Sequence, residues 1–435
     1  MTSVRLTDPF VTDPFETRPF DGPIDAVAAI PGSKSFTNRA LVAAALAGGT
    51  SELLGVLDSD DTQAMVACLS SIGLSIVHER ATATMLVEGT GGHLPTSSAR
   101  IDVRQSGVTA RFLVPLLALG HGHFVIDGHP QMRARPMRDL LDALLGLGVD
   151  VRSVSGDGRL PLTLDAHGVE GQQTTVAGDV SSQFLSGLLL ASPCFERGIT
   201  IDVEGELVSK PYVDMTLATM ASFGAKVDRD QYARFVIQPT GYRAATYRIE
   251  PDASAASYAF AAAAITGGRV RVTGLGHDAQ QGDVAFVDAL ARMGCAVERL
   301  DDAIEVRGPQ TLHAIDIDMS DFSDTAQTLA VVAAFARGVT RVRGVGFIRR
   351  KETDRVGAVV EELQRCGIQA EEHEDGFDVH GGPAHAATIE TYEDHRMAMS
   401  FALFGLCVPG IRIANPRCVS KTFPEYFTML EGLRP

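Results

Sequence analysis

Hydrophobic and polar positions along the chain fall into two phrases that alternate from one end to the other. The first is an amphipathic helical run ending in Leu or Met, then a glycine, then a short alternating strand. It reads LSSIGLSIV around Gly73, LLGLGVDV around Gly148, MASFGAKV around Gly224, LARMGCAV around Gly294 and LQRCGIQA around Gly367. These glycines are 75, 76, 70 and 73 residues apart. Each stands where a helix ends on a left-handed residue before a strand begins. The second phrase is an Ala- or Leu-rich helix, a glycine and a β-branched strand. Its glycines at 49, 122, 198, 268, 338 and 410 step by 73, 76, 70, 70 and 72. Two interleaved phrases with one period describe six units of about 72 residues each. Each unit predicts helix, strand, loop, helix, strand, and six units predict two three-unit domains.

The ends of the chain fit this scheme in a particular way. A helix is expected over residues 423–433 with no strand after it, and the segment 17–30 precedes the first unit. The N-terminal strand is therefore expected to complete the sixth unit. The chain then starts in one domain, crosses to the other near Gly32 and returns near Glu250. The expected domains are 1–32 with 250–435, and 33–249. Before Thr17, the echo TDPF–VTDPF predicts a poorly ordered tail.

Composition narrows the class. The 435 residues are 45% hydrophobic and 21% charged, which suits two or three domains with large cores. The net charge of −16 argues against nucleic acid as a partner. It leaves room for a small anionic substrate, which needs only local positive charge. The Ala-rich run 255–265 falls well short of the roughly 20 residues a membrane span needs. The first 20 residues hold acids and prolines and no apolar core, unlike a signal peptide. Six cysteines without a CxxC pair read as free thiols of a cytoplasmic protein, neither disulfides nor a zinc site.

Candidate chemistry sits where the second-phrase helices begin. These starts read Gly32-Ser33-Lys34-Ser35, Gln105-Ser106-Gly107, Ser181-Ser182-Gln183, Asp252-Ala253-Ser254, Ser323-Asp324 and Asp394-His395-Arg396. Ser and Asp there cap helices, and the exposed N–H groups also favour anions. Lys34, Arg39, Arg111 and Arg396 lie close to such starts. Two basic clusters precede first-phrase helices, Arg133-Ala134-Arg135-Pro136 and residues 349–355, with Lys210 and Lys421 at matching places. Repetition of cations at equivalent positions suggests loops of both domains facing one cleft that takes phosphates and carboxylates. Proton-transfer candidates are Asp324, Glu352, Asp394 and His395. No P-loop, HExxH or metal-spaced cluster occurs, and the lone Gly274-Leu275-Gly276 is no dinucleotide fingerprint.

Seven segments together resemble the 5-enolpyruvylshikimate-3-phosphate synthases: PGSKSFTNRALVAAALA (31–47), LDSDD (57–61), VSSQFLSGLLL (180–190), LVSKPYVDMTL (207–217), KETDR (351–355), DHRMAM (394–399) and KTFPEYF (421–427). The resemblance runs from about residue 20 to the C-terminus. It implies an α/β (α+β) enolpyruvyl transferase fold: two domains, each of three βαβαββ-type units with pseudo-threefold symmetry, joined by two crossovers, with the active site in the interdomain cleft. The implied reaction transfers the enolpyruvyl group of phosphoenolpyruvate to the 5-hydroxyl of shikimate 3-phosphate, releasing phosphate, on the way to chorismate. No cofactor and no metal are implied, and the chain is expected to act as a monomer.

The resemblance also implies residue roles. Ser35, Arg39 and Tyr212 would hold the shikimate carboxylate. Ser181, Ser182, Ser209 and Lys351 would hold its phosphate, with Gln183 between the two substrates. Lys34, Gly107, Arg135 and Lys421 would surround the phosphate of phosphoenolpyruvate, and Arg355 and Arg396 its carboxylate. Asp324 would be the base on the 5-hydroxyl. Glu352 would deliver a proton to the methylene carbon, with Lys34 sharing in the proton traffic. Three positions depart from the family pattern. Gln105-Ser106-Gly107-Val108 replaces Asn-Ala-Gly-Thr, Phe112 follows Arg111 where Pro is common, and Phe347 stands where a polar residue is frequent. The alternatives are a UDP-N-acetylglucosamine enolpyruvyl transferase and an inactive binding homologue. The first expects a cysteine in the loop 129–136 and Lys-Asn in place of Lys34-Ser35, and this chain has neither.

Overall fold

Five of the six glycine-marked units are copies of one supersecondary unit, and the sixth is a shortened version of it. A computed structural model describes residues 12–434. The second repeat runs from strand Ser98–Asp102 through helix Gly107–Leu117, strand His121–Asp127 and helix Arg138–Gly146 to strands Asp150–Ser153 and Leu162–His167. The first strand lies parallel to the second (Ile101 opposite Ile126), and the last two form an antiparallel hairpin against the second. The third repeat (Gln173–Ala177 to Arg234–Ile237) and the fifth (Asp316–Asp318 to Gly376–His380) copy this order, strand one, two, four, three. The βαβαββ expectation holds for these copies. Each unit thus has more strands than the periodicity alone predicts.

Two repeats borrow their first strand. In the first repeat, Ala47–Leu54 takes Tyr242–Arg243 and Thr246–Arg248 as its parallel neighbours. In the fourth, Arg269–Thr273 takes Asp25–Ala28, with Val270 opposite Ala26. The N-terminal strand therefore completes the fourth unit and not the sixth, correcting the expectation above. The reason is a vacancy. The sixth repeat has its own first strand, Thr388–Ile389, parallel to Arg412–Ile413. The fourth has none, because Thr246–Arg248 is already spent on the first. What the sixth lacks is the hairpin, and Phe15–Glu16 pairs antiparallel with Arg412–Ile413 in its place. The Phe15 ring packs at a tilt against Phe427, centroids 4.2 Å apart, so the segment just before Thr17 is tied down. The rest of the predicted tail, residues 1–11, lies outside the described residues.

Glycines 73, 148, 224, 294 and 367 all have positive φ, as a C-terminal helix stop requires. In the fourth repeat the left-handed residue is Gly267 at φ 67°, one before the Gly268 read from the pattern. The expected terminal helix spans only Tyr426–Glu431, after a 3-10 segment Pro416–Lys421.

Helices Gly107–Leu117 and Ala253–Thr266 show why the site is where it is. They are apolar almost all round and buried along nearly their whole length, as helices enclosed by a core are. Apart from Thr266, which donates back to the Ala262 carbonyl at the end of the second helix, their polar side chains lie in the N-terminal halves, where the candidate residues cluster. The fold divides into two compact units, Gly32–Ile249 and the remainder on either side of it. Each has its own core, one around Ala40, Leu113 and Leu188, the other around Ala259, Val331 and Met399. No helix among the described residues is long and apolar enough to cross a membrane.

Candidate active site

In the unit Gly32–Ile249, the helix Lys34–Leu46 is capped by Ser33, whose Oγ accepts from the Phe36 amide at 3.4 Å. That places Lys34 at the first helical position. Its Nζ lies 3.6 Å from Oδ2 of the buried Asp61, a partner within LDSDD that no role was read for. One turn on, Arg39 is 2% exposed. It donates to Thr216 Oγ1 (2.8 Å), the Tyr212 carbonyl (2.9 Å), the Ser35 carbonyl (3.0 Å) and Ser186 Oγ (3.5 Å). All four acceptors are neutral oxygens. Burial lowers its pKa to about 10, opposed by Tyr212 and Tyr247. The predicted neighbours Ser35, Arg39 and Tyr212 thus stand together, around a cation bonded here only to neutral oxygens.

Gly107 opens its helix behind the Ser106 cap. A Cβ added there would stand 2.5 Å from Nη1 of Arg135, so the two predicted phosphate ligands are in contact. Arg111 donates to Gln183 Oε1 at 2.6 Å and lies 5.0 Å over the Phe184 ring, fixing the Gln183 amide. Phe112, one of the departures, is buried with the Arg39 guanidinium 5.4 Å from its ring centroid. Val108 is buried as well. Ser181 caps helix Ser182–Ala191, accepting from the Gln183 amide at 3.3 Å. Ser209 precedes Lys210–Ser222 in a left-handed conformation, φ 56°, and makes no capping bond. Backbone strain of that kind in a serine persists where the surroundings impose it. Lys210 pairs with the exposed Glu206 at 3.1 Å.

In the other unit, Asp324 lies in a 3-10 turn, Ser323–Thr325, that leads into helix Ala326–Ala334 without a side-chain cap. Three cations converge on it: Lys351 Nζ at 2.5 Å, Arg396 Nη2 at 2.6 Å and Arg355 Nη1 at 3.4 Å. Arg355 also reaches Glu352 at 2.8 Å and Asp394 at 2.7 Å. Burial works against its charge, but Asp394, Glu352 and Asp324 together hold the guanidinium above its ordinary pKa. Burial lowers the Lys351 pKa below the ordinary 10.5, against the pull of Asp324. The Lys351 ammonium lies 5.6 Å from the Phe347 ring centroid, so this third departure from the family pattern is a cation–π face. Lys421 is buried at the end of its 3-10 segment.

Asp394 and His395 read as proton-transfer candidates, but Asp394 is fully buried and occupied. Its Oδ1 caps helix His395–Ala402 by accepting from the Arg396 amide at 2.9 Å, and both oxygens hold Arg355. It is a clamp. Asp61, Asp394 and Arg111 are the positioning groups that residue types alone did not assign. No group of three His, Cys, Asp or Glu among the described residues is arranged to hold a metal ion.

Six βαβαββ-related repeats in two units, with cations and carboxylates at buried helix starts, define an enolpyruvyl transferase. Solved structures share the fold. An EPSP synthase from Acinetobacter baumannii matches with a TM-score of 0.82 at 25% identity, covering 97% of this chain and 98% of that one. The enolpyruvyl transferase NikO from Streptomyces tendae matches in fold with a TM-score of 0.74 at 21% identity, covering 96% of each chain. The family model for EPSP synthase (3-phosphoshikimate 1-carboxyvinyltransferase) matches residues 21–430. The 3-phosphoshikimate 1-carboxyvinyltransferase of Nostoc punctiforme is 47% identical over 407 residues, 93% of this chain and 96% of that protein. That of Shewanella piezotolerans is 44% identical over 409 residues. The chain belongs to the EPSP synthase family.

Proposed function

We infer that this protein transfers the carboxyvinyl group of phosphoenolpyruvate to the 5-hydroxyl of shikimate 3-phosphate, releasing phosphate. The observation that carries the residue-level reading is Asp324. It is a carboxylate at a buried helix start, bonded to Lys351, Arg355 and Arg396, with Glu352 on the same Arg355. An anionic substrate that engages those cations frees the Asp324 oxygens to accept the 5-hydroxyl proton. The 5-oxygen then forms a bond to C2 of phosphoenolpyruvate while Glu352 gives a proton to C3, and the double bond becomes a tetrahedral centre. Return of a C3 proton to Glu352 re-forms the double bond as the C2–phosphate bond breaks.

In this reading Ser35, Arg39 and Tyr212 bind the shikimate carboxylate. Ser181, Ser182, Ser209 and Lys351 bind its phosphate, and Gln183 contacts both substrates. Lys34, Gly107, Arg135 and Lys421 take the phosphate of phosphoenolpyruvate. Arg355 and Arg396 take its carboxylate, a task suited to guanidinium forks. The reading also places the protein in the cytoplasm as a monomer, with residues of both units serving one reaction. Phosphate release from phosphoenolpyruvate in the presence of shikimate 3-phosphate, and none with UDP-N-acetylglucosamine, is the expected result. Release with the aminosugar nucleotide, or with neither, would overturn it.

A further inference from the structure

Helix Arg355–Arg365 carries a second buried charged residue, one that the reaction above does not use. Glu362 is fully buried, two turns beyond Arg355 and therefore on the same helix face. Its Oε1 accepts from the Tyr392 hydroxyl at 2.7 Å. Its Oε2 accepts from the Glu390 amide at 3.1 Å and pairs with Arg365 Nε at 3.0 Å. Burial raises its pKa, with Tyr392, the Glu390 amide and Arg365 acting in opposition.

What this carboxylate grips is an unusual turn. Tyr392 and Glu393 both have left-handed backbones, φ 54° and 55°. Two consecutive left-handed residues without a glycine are disfavoured locally and must be held by their surroundings. The next residue is Asp394. Its amide donates to the Thr391 carbonyl at 2.7 Å, and its side chain clamps Arg355 and caps the helix on which Arg396 is the second residue. One helix face thus holds the turn twice, through Arg355 at its start and Glu362 two turns later.

We propose that Glu362 is a positioning residue for the two arginines assigned to the phosphoenolpyruvate carboxylate, acting through Tyr392 and the left-handed turn that delivers Asp394 and Arg396. The proposal rests on that assignment. With the Glu362 grip lost, Tyr392 and Glu393 relax toward right-handed backbone, Asp394 shifts, and the two guanidinium groups lose their mutual geometry. Shikimate 3-phosphate, held chiefly by other residues, is unaffected at its own subsite.

The test is steady-state kinetics on the full chain with each substrate varied, alongside thermal unfolding. Tyr392→Phe removes one hydroxyl and keeps the ring. It should raise the KM for phosphoenolpyruvate about two- to tenfold, the range of one net hydrogen bond, and leave that for shikimate 3-phosphate unchanged. Glu362→Ala should do more, and Glu362→Gln, which still accepts from Tyr392, should recover part of the loss. A purely structural role would lower the melting temperature and active fraction with both KM values intact, and that result overturns the proposal. If Glu362→Ala does not fold, Tyr392→Phe and Glu362→Gln decide. Arg355→Lys and Arg396→Lys separate the two levels. If they leave the phosphoenolpyruvate KM unchanged, the carboxylate assignment fails and the proposal falls with it. If they raise it while Tyr392→Phe does not, the proposal alone is refuted.

Discussion

Replacing Gly107 by alanine asks whether the first residue of Gly107–Leu117 is kept small for the sake of Arg135. The new methyl would stand 2.5 Å from Nη1, 2.8 Å from Cζ and 3.0 Å from Nη2. Ordinary contact between such atoms is about 3.5 Å or more, so the guanidinium must retreat by about 1 Å. A long arginine stem can do this without disturbing the backbone. Gly107 is not among the positive-φ residues, and alanine is the better helix former by up to about 1 kcal/mol. The fold should therefore hold. A retreat of that size stretches a charge-assisted bond past hydrogen-bonding range, and such a bond is worth about 1.5–3 kcal/mol. That corresponds to about a ten- to hundredfold rise in the KM for phosphoenolpyruvate. Initial-rate kinetics with each substrate varied, paired with a melting curve, read this directly. The KM for shikimate 3-phosphate should move less than about twofold and the melting temperature less than about 4 °C, the shift expected of less than 1 kcal/mol. A phosphoenolpyruvate KM within twofold of the parent, or equal rises for both substrates, would refute the spacing of Arg135 by Gly107.

Asp324→Asn should reduce kcat by on the order of 10²–10⁴ while calorimetry still detects shikimate 3-phosphate binding; a loss below about tenfold removes Asp324 from the base role. Because burial lowers the Lys351 pKa below 10.5, its charge is lost earlier than usual as pH rises. The KM for shikimate 3-phosphate should accordingly climb on the alkaline side, and Lys351→Arg should move that climb to higher pH; coincident profiles would count against Lys351 as a phosphate ligand. Phe347→Leu keeps apolar bulk but removes the ring under the Lys351 ammonium, an interaction worth about 0.5–2 kcal/mol. It should raise the same KM measurably, whereas an unchanged value would mean that the ring only packs.

The repeat was legible because a helix that must stop before a strand needs a left-handed residue, and glycine marks it in the text of the chain. The pairing of the ends was not. Asp25–Ala28 offers four residues, and nothing local says whether their parallel partner is Arg269–Thr273 or Arg412–Ile413. That choice is made by which sheet has a vacancy. The residues proposed for the site stand out in the sequence where they sit in distinctive segments such as KETDR and DHRMAM. Their supports were harder to see. Asp394 looked like a proton carrier because a carboxylate beside a histidine and an arginine carries no mark of which partner it faces. In the fold it faces Arg355, on another helix 39 residues away. Glu362 likewise reads as one more acid on an amphipathic surface until Tyr392 and Glu390 are seen to close over it.

The borrowed strands also set an order of events during synthesis. The unit Gly32–Ile249 closes its own ring of repeats when Thr246–Arg248 returns to Ala47–Leu54, a span of 194 residues that is complete before Glu250 is made. The N-terminal strand has no such early partner. Asp25 must wait for Arg269, 244 residues later, and Glu16 for Arg412, 396 residues later. A chain emerging from the ribosome therefore carries two unpaired edge strands past a unit whose own strand partners have all been made. Contacts of such long separation form late and slowly. The inserted unit is the natural first folding event, and the outer unit is sealed only when the sixth repeat arrives and takes Phe15–Glu16 as its missing edge.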